Sequence, residues 1–494
     1  MNNWKQQKLG IVADVKLSNV DKLTNDNERI VRLCNYTDVY KNSFINIEKS
    51  QSFMIASCNE NEFEKFILKK GQVAITKDSE TPNDIGVSTY ISEDFEDVVL
   101  GYHLALITPN TDKLNGLFLH YWLNTKQAKR YFENNAGGSG QRCTLVLDCI
   151  KSTPLYLPNL STQEKIAKIL SDLDAKIELN NRINRELEAM AKTLYDYWFV
   201  QFDFPASFSS TSSDTEAAEK SHPEALKTTV AERSRSYKSS GGKMVYNKEL
   251  KREIPEGWEV KKLAEIATTG SGGTPLSTKK EYYENGNIPW INSGEVNMPF
   301  IVSTKNFITQ KGLESSSAKM FKRGTILMAM YGATAGKVSF MDIEACTNQA
   351  ICAINPKEDS YRIYIKLMLE DLYKYLINLS SGSARDNLSQ NKIRELKFVI
   401  PSESLIQKFD KMVNSSMNKI LINLIQNQQL TELRDWLLPM LMNGQVVSTS
   451  STGSDTSTTK LPAPEASEAS EPVEDVEDVE GMAAEPSVEY KAKN

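Results

Sequence analysis

Between residues 160 and 202 the chain carries a helical seam, and 243 residues later it carries the same seam again. Positions spaced alternately three and four apart in the first stretch are Ile166, Leu170, Leu173, Ile177, Asn180, Asn184, Leu187, Ala191, Leu194 and Trp198. Eight of these ten are apolar, the pattern of a stripe along one helix face. The ungapped equivalents are Phe409, Val413, Ser416, Ile420, Asn423, Asn427, Leu430, Arg434, Leu437 and Leu441. The second seam is weaker, but both asparagines return in register. An asparagine in an apolar seam costs stability and fixes register, which makes Asn180, Asn184, Asn423 and Asn427 the register residues. Antiparallel packing about the two midpoints would face Asn180 with Asn427 and Asn184 with Asn423.

The segments before the two helices repeat as well. Trp4 with Lys8-Leu9 matches Trp258 with Lys262-Leu263, and Lys69-Lys70-Gly71 matches Lys322-Arg323-Gly324. Pro109 corresponds to Pro356, while Arg142, Leu145, Ile150 and Pro158 correspond to Arg385, Leu388, Ile393 and Pro401 at the helix offset. Two copies of one domain-plus-helix unit account for this, and 494 residues exceed what one core can hold. Strand-like runs at 71–77 and 103–109, a helix over 117–134 and an extended exit at 155–158 make the repeated domain mixed α/β. Ser161 or Thr162 is expected to cap the long helix.

The boundaries that follow are a first domain at 1–158, a helix at 159–203, a Ser/Thr/Glu-rich linker at 204–253, a second domain at 254–402, a second helix at 403–445 and a disordered acidic tail at 446–494. The tail holds eleven acidic residues and three lysines. Subtracting them from 58 basic and 64 acidic residues leaves 55 against 53 in residues 1–445, a net charge of +2. A body so nearly neutral binds a polyanion only through local clusters or with help from a partner. The tail is either a bland extension or a mimic of DNA that competes for a basic groove.

Six cysteines without a C-x-x-C pair, and three histidines, give no zinc or disulfide framework. No run of about eighteen apolar residues and no signal-peptide core occur, so a cytoplasmic location is expected. The stretch Gly332-Ala333-Thr334-Ala335-Gly336-Lys337-Val338 imitates a phosphate loop, but it has three residues between the glycines and Val338 where Ser or Thr is required. The glycine-rich residues 269–275 lack the lysine and read as a flexible loop able to approach a ligand. No spacing of acids, bases or nucleophiles forms a catalytic constellation. What remains are loops rich in Gly, Ser, Asn, Tyr and Arg at matching places in two domains, side chains suited to phosphates and base edges.

Residues 254–258 (IPEGW), 288–291 (IPWI), 324–336 (GTILMAMYGATAG) and 382–385 (GSAR) resemble the specificity subunit of type I restriction-modification systems. Residues 31–40 (VRLCNYTDVY) and 194–199 (LYDYWF) carry the likeness into the first half, so it spans about residues 4–445. The resemblance implies an α+β fold: two similar target recognition domains held apart by two long antiparallel helices in a pseudo-two-fold internal repeat. It implies a non-catalytic subunit in which each domain reads half of a split, asymmetric double-stranded DNA target. The helices are implied to act as a ruler and to dock two methyltransferase subunits on their outer faces, near Tyr197 and Trp436, with restriction subunits joining later. No cofactor is expected in this chain, S-adenosylmethionine and ATP belonging to the partners. A helix of about 39 residues spans roughly 58 Å, enough to separate half-sites about 34 Å apart.

Under that resemblance the DNA contacts expected in the first domain are Asn35, Tyr36, Tyr40, Lys77, Ser139, Gln141 and Arg142. Those expected in the second are Ser271, Thr274, Trp290, Asn292, Tyr331, Lys337, Ser383 and Arg385. The alternatives are a stand-alone NTP-binding enzyme using the loop at 332–337, and a structural coiled-coil adaptor without DNA contact.

Overall fold

The computed structural model describes residues 4–138, 142–206, 235–373, 388–448 and 490–492. The chain divides into two compact units, Met1–Lys176 with Gln429–Asn494, and Ile177–Gln428. The division therefore falls inside each of the two long helices, Leu160–Tyr195 and Glu403–Met442.

In the first unit a five-stranded sheet runs in the order Ala13–Leu17, Leu104–Pro109, Val73–Thr76, Ser88–Ile91, Phe44–Ile45. Neighbours are antiparallel except at the last pair, which is parallel. The central strands are apolar on both faces because both faces are covered. Val73, Ile75, Ala105 and Ile107 point into one core, with Phe118, Trp122 and the helix residues Ile166 and Leu170. Ala74, Leu104 and Leu106 point into the other, beneath the three-stranded sheet of Met54–Cys58, Arg29–Cys34 and Val98–Leu100. Alternate residues of a strand face opposite ways, so a continuous apolar run is what a doubly covered sheet requires.

The second unit repeats this arrangement strand for strand: Ala267–Ser271, Ile351–Pro356, Ile326–Ala329, Val338–Met341, Phe300–Ile301, with the same single parallel edge. Ile326, Met328, Cys352 and Ile354 face one core, while Leu327, Ala329, Ile351 and Ala353 face the other. In each unit an entry strand pairs with the exit strand that feeds the helix, Lys5–Lys8 with Pro154–Leu157 and Glu259–Lys262 with Lys397–Ile400.

Asn159 caps the first long helix, its side chain accepting from the Thr162 N–H at 2.8 Å. The cap is thus two or three residues earlier than Ser161 or Thr162, because an asparagine directly after proline presents its short carbonyl to the third amide of the turn. Gln163 fastens the helix to its domain, donating to the carbonyls of Lys113 and Pro158 and accepting from the Asn115 N–H. At the other end the helix widens into a π turn over Asp196–Val200. The extra residue lets adjacent rings, Trp198 and Phe199, both enter the second unit's core, where Phe199 lies 4.7 Å from Tyr364 and 4.9 Å from Phe409.

Within the second unit the seam asparagines meet. Asn180 Nδ2 donates to Asn427 Oδ1 at 2.9 Å and to Gln426 Oε1 at 2.8 Å, and Asn423 Nδ2 donates to Asn184 Oδ1 at 2.8 Å. As one partner's number rises the other's falls, so the two helices run antiparallel there.

Two stretches differ from expectation. Residues 117–134 form two helices, Gly116–Leu123 and Lys126–Asn135, because Thr125 Oγ1 accepts the Ala128 N–H at 3.2 Å and starts a new helix after Asn124. The expected linker at 204–253 contains ordered chain from residue 235 onward. Tyr237 stacks on Phe204 at 4.6 Å, Asp203 accepts from the Ser239 hydroxyl and amide at 2.5 and 2.8 Å, and Met244–Asn247 pairs with Arg252–Pro255. Tyr237, packed against the second unit's core, supplies apolar area that the preceding low-complexity stretch lacks. The rest of that linker, 207–234, and the acidic tail over 449–489 lie outside the described residues, and with them the expectations of disorder and of DNA mimicry.

Candidate nucleic-acid interface

In the first domain the chain builds a cleft of about 360 Å³ lined by Tyr36, Tyr40, Asp78, Asp84, His103 and Arg142, among others. Asn35 starts the helix Tyr36–Lys41, its side chain accepting from the Tyr36 N–H at 2.7 Å while Asp38 accepts the Asn35 N–H at 2.9 Å. That capping box fixes where the helix begins, and residues four apart share a helix face. Tyr36 and Tyr40 consequently stack, with ring centroids 5.8 Å apart and planes at 15°. The Tyr40 hydroxyl donates to both oxygens of Asp84, at 3.0 and 3.1 Å, and that carboxylate raises the pKa of the phenol.

Behind the tyrosines Asp78 collects three donors: Lys77 Nζ at 2.8 Å, Thr144 Oγ1 at 2.7 Å and His103 Nδ1 at 2.5 Å. Partial burial raises the pKa of the Asp78 carboxyl, but these partners outweigh it and hold it below the usual aspartate range. With Nδ1 committed to Asp78, Nε2 is the nitrogen His103 has left for a ligand. His103 also holds φ at 68°, a left-handed backbone that a non-glycine residue adopts only where its surroundings enforce it.

The second domain gathers a patch around a glycine turn. Thr274 Oγ1 donates to Gln349 Oε1, and Ser271 Oγ donates to the carbonyls of Gln349 and Ile351 at 3.2 and 3.3 Å. The Trp290 indole donates to the Gly273 carbonyl at 3.0 Å. Asn348 Nδ2 reaches Asn292 Oδ1 at 3.4 Å. A side chain at Gly272 would put its Cβ 1.9 Å from the Thr347 carbonyl, and one at Gly273 would meet Ser317 at 2.1 Å. The glycines are therefore set by packing within the domain, not by loop flexibility toward a ligand.

The expected contacts sort accordingly. Tyr36, Tyr40 and Arg142 come together in the first cleft, with Lys77 at its back on Asp78. Ser271, Thr274 and Asn292 share the second patch. Asn35 and Asn292 are helix caps, the latter opening the short turn Ser293–Glu295. Trp290 is 7% exposed and packs in a core with Ile308 and Cys346. Tyr331 is half-buried against the second unit's main core. Lys337 lines a different cavity, with Glu188, Glu370 and Tyr373, its ammonium 5.9 Å from the Tyr373 ring. Ser139, Gln141, Ser383 and Arg385 lie outside the described residues. His103, Asp84 and Gln349 were not singled out in the sequence. They meet the others only through strands far apart in the chain.

The loop at 332–337 joins two antiparallel strands, Ile326–Ala329 and Val338–Met341, through a 3-10 turn, Gly332–Thr334. A phosphate loop needs a helix N-terminus after the glycines, and a hairpin supplies none.

Two copies of one domain, the first presenting a cleft of aromatic and charged side chains and the second a patch of hydroxyl and amide side chains, each continued into a long helix, define a protein that offers a ligand two different surfaces on one repeated frame. Residues 1–189 and 255–433 match the type I restriction modification DNA specificity domain, and the chain belongs to the family of type I restriction-modification specificity subunits. It is 30% identical over 472 residues to the specificity subunit of the HindI type I restriction enzyme of Haemophilus influenzae, covering 90% of this chain and 100% of that one. It is 26% identical over 334 residues to the MjaIX specificity subunit of Methanocaldococcus jannaschii, covering 67% and 68%. The crystal structure of a type I S subunit from M. genitalium shares the fold, with a TM-score of 0.52 at 16% identity over 89% of this chain and 97% of that one. The chain is accordingly a DNA specificity subunit and not a catalytic one, and it acts in assembly with other subunits and DNA. Among the described residues no helix is long and apolar enough to cross a membrane.

Proposed function

We propose that each domain reads one half of a bipartite, asymmetric DNA target, and that the paired helices set the interval between the halves and dock two methyltransferase subunits. The observation that carries this reading is the repetition: the same five-strand order with the same parallel edge, each copy ending in a helix at one register. A repeated domain with different cleft residues suits two different half-sites. A body of net charge +2 leaves much of the phosphate neutralisation to the partners. S-adenosylmethionine and ATP are assigned to those partners, and the restriction subunits join the same assembly.

Docking is assigned to side chains the helices leave exposed. Met190 is 65% exposed and Leu433, 243 residues later in the repeat, is 42% exposed, with Tyr197 at 43% and Trp436 at 46%. Equivalent apolar positions on two helices suit two copies of one partner.

The test exchanges residues 1–158 for the corresponding domain of another family member and maps methylation in native genomic DNA by single-molecule sequencing. One half of the methylated motif should change while the other half and the interval remain. A motif unaltered by the exchange, or altered in both halves, overturns the proposal.

A further inference from the structure

We infer that the cleft of the first domain reads a G·C base pair, Asp84 accepting from the cytosine 4-amino group and Arg142 facing the guanine. This rests on the reading that the first domain contacts base edges, and it adds which side chains do so and which pair they select.

The charge of the cleft excludes the commoner use of such a surface. Phosphate contacts need lysine, arginine or amide donors, whereas here the carboxylates of Asp78 and Asp84 face the same space as Tyr36 and Arg142. A phosphate would be repelled, while a group bearing N–H donors would be attracted. In the major groove those donors are the 4-amino group of cytosine and the 6-amino group of adenine.

The cleft has three carboxylates, Asp78, Glu80 and Asp84, and the two that the surrounding side chains hold in place, Asp78 and Asp84, are not equivalent. Asp78 is occupied by Lys77, Thr144 and His103, so it is a structural anchor. Asp84 has the Tyr40 hydroxyl, shared between its two oxygens at 3.0 and 3.1 Å. An ionised carboxylate offers about four acceptor sites, so lone pairs remain for a base. Its position is fixed in advance. Pro82 opens the 3-10 turn that carries Asp84, and Tyr40 is braced by its stack on Tyr36. A reader built this way loses little side-chain freedom on binding.

Arg142 decides between the two amino-bearing bases. A guanidinium pairs best with two acceptors side by side, and guanine O6 and N7 are such a pair. An acceptor for the cytosine amino group beside a fork for guanine matches a G·C pair at both of its edges. At an A·T pair the same guanidinium finds no paired acceptors. His103, left-handed in its backbone and bonded to Asp78 through its ring, serves as a positioning residue for that wall of the cleft.

The experiment uses the assembled complex carrying Asp84→Ala, Asp84→Asn or Tyr40→Phe, with methylation of native genomic DNA as the readout and the 1–158 exchange identifying which half belongs to this domain. That half should hold a fixed G·C pair. In Asp84→Ala the preference for it should fall by about 5- to 150-fold, the span of one good base contact, with the other half unchanged. Asp84→Asn should relax the same position, and Tyr40→Phe should relax it partly, since the hydroxyl that holds the carboxylate is gone. Relaxation at an A·T pair, no relaxation in the Asp84 variants, or loss of methylation at every site overturns the assignment. If the domain exchange alters the half-site but the Asp84 variants do not, only the cleft assignment fails. If the exchange alters nothing, the DNA-reading proposal fails beneath it.

Discussion

Arg434 Nη1 lies 2.7 Å from Asp174 Oδ1, and the other oxygen of Asp174 accepts the Tyr121 hydroxyl at 2.6 Å. The repeat places Ala191, Met417 and Tyr364 at the corresponding positions of the second unit, all buried. One unit thus closes its helix pair with an ion pair where the other uses an alanine and a methionine. Burial and the neighbouring Asp174 charge push the Tyr121 phenol well above its ordinary pKa, so it stays a donor.

Removing Asp174 alone should be costly, because the buried Tyr121 phenol loses its acceptor and the Arg434 guanidinium keeps only Asp435, at 2.9 and 3.1 Å. Asp174→Ala is expected to destabilise the chain by about 1.5–3 kcal/mol, the value of a hydrogen bond to a charged group, in urea unfolding. The double change Asp174→Met with Arg434→Ala copies the second unit's apolar solution, and it should recover most of that loss. A double variant no more stable than Asp174→Ala would show that the two units do not pack alike.

The seam asparagines lead to the opposite sign. Asn184 Nδ2 is buried without a hydrogen-bond partner, although its oxygen accepts from Asn423. Replacing both by leucine removes an unsatisfied donor and adds apolar contact, so Asn184→Leu with Asn423→Leu should raise the unfolding free energy by about 1–3 kcal/mol, read as a higher urea midpoint. Register should loosen in return. Cysteines placed at 180 and 427 should crosslink cleanly in the parent chain, and less selectively against other seam positions in the leucine background.

These seams were legible in the sequence because apolar spacing, an ungapped offset and paired asparagines are properties of the string. The clefts were less so. Asn35 and Asn292 read as base contacts, yet each is followed three residues later by an acidic residue, Asp38 and Glu295, the pattern of a capping box. That signal was present. Trp290 gave no such sign, since it is buried by packing against Ile308 and Cys346 and its indole finds an acceptor seventeen residues away at Gly273. Asp78, Asp84, His103 and Arg142 converge through strand pairing across 64 residues, and no local periodicity encodes that.

His120 gives a pH prediction. Burial, with a smaller contribution from the Arg434 charge, lowers its pKa to about 3, and it sits beside Ser88 Oγ at 3.0 Å. The folded state therefore refuses a proton that the unfolded chain accepts near pH 6.5. The stability this residue allows is complete above pH 6.5 and declines as pH falls toward 3, by up to about 1.4 kcal/mol per pH unit. His120→Gln should flatten that part of the stability profile relative to the parent. Parallel profiles between pH 6 and 4 would mean that His120 protonates freely in the folded chain.

The last prediction concerns the ruler. Inserting four residues after Asn184 alone would move Leu187 and Ala191 out of phase with their partners on the other helix, because the pairing at Asn180–Asn427 and Asn184–Asn423 is antiparallel and fixed. A matched insertion avoids this: seven residues after Asn184 and seven between Ile422 and Asn423 keep both asparagine pairs and preserve the alternate three- and four-residue spacing. Each helix then lengthens by about 10 Å at about 1.5 Å per residue. At about 3.4 Å per base pair the unread interval in the methylated motif should grow by about three base pairs, with both half-sites retained. The one-sided insertion should instead lower stability and cost methylation. An unchanged interval in a folded, methylating complex that carries the matched insertion would mean that something other than the helices sets the spacing.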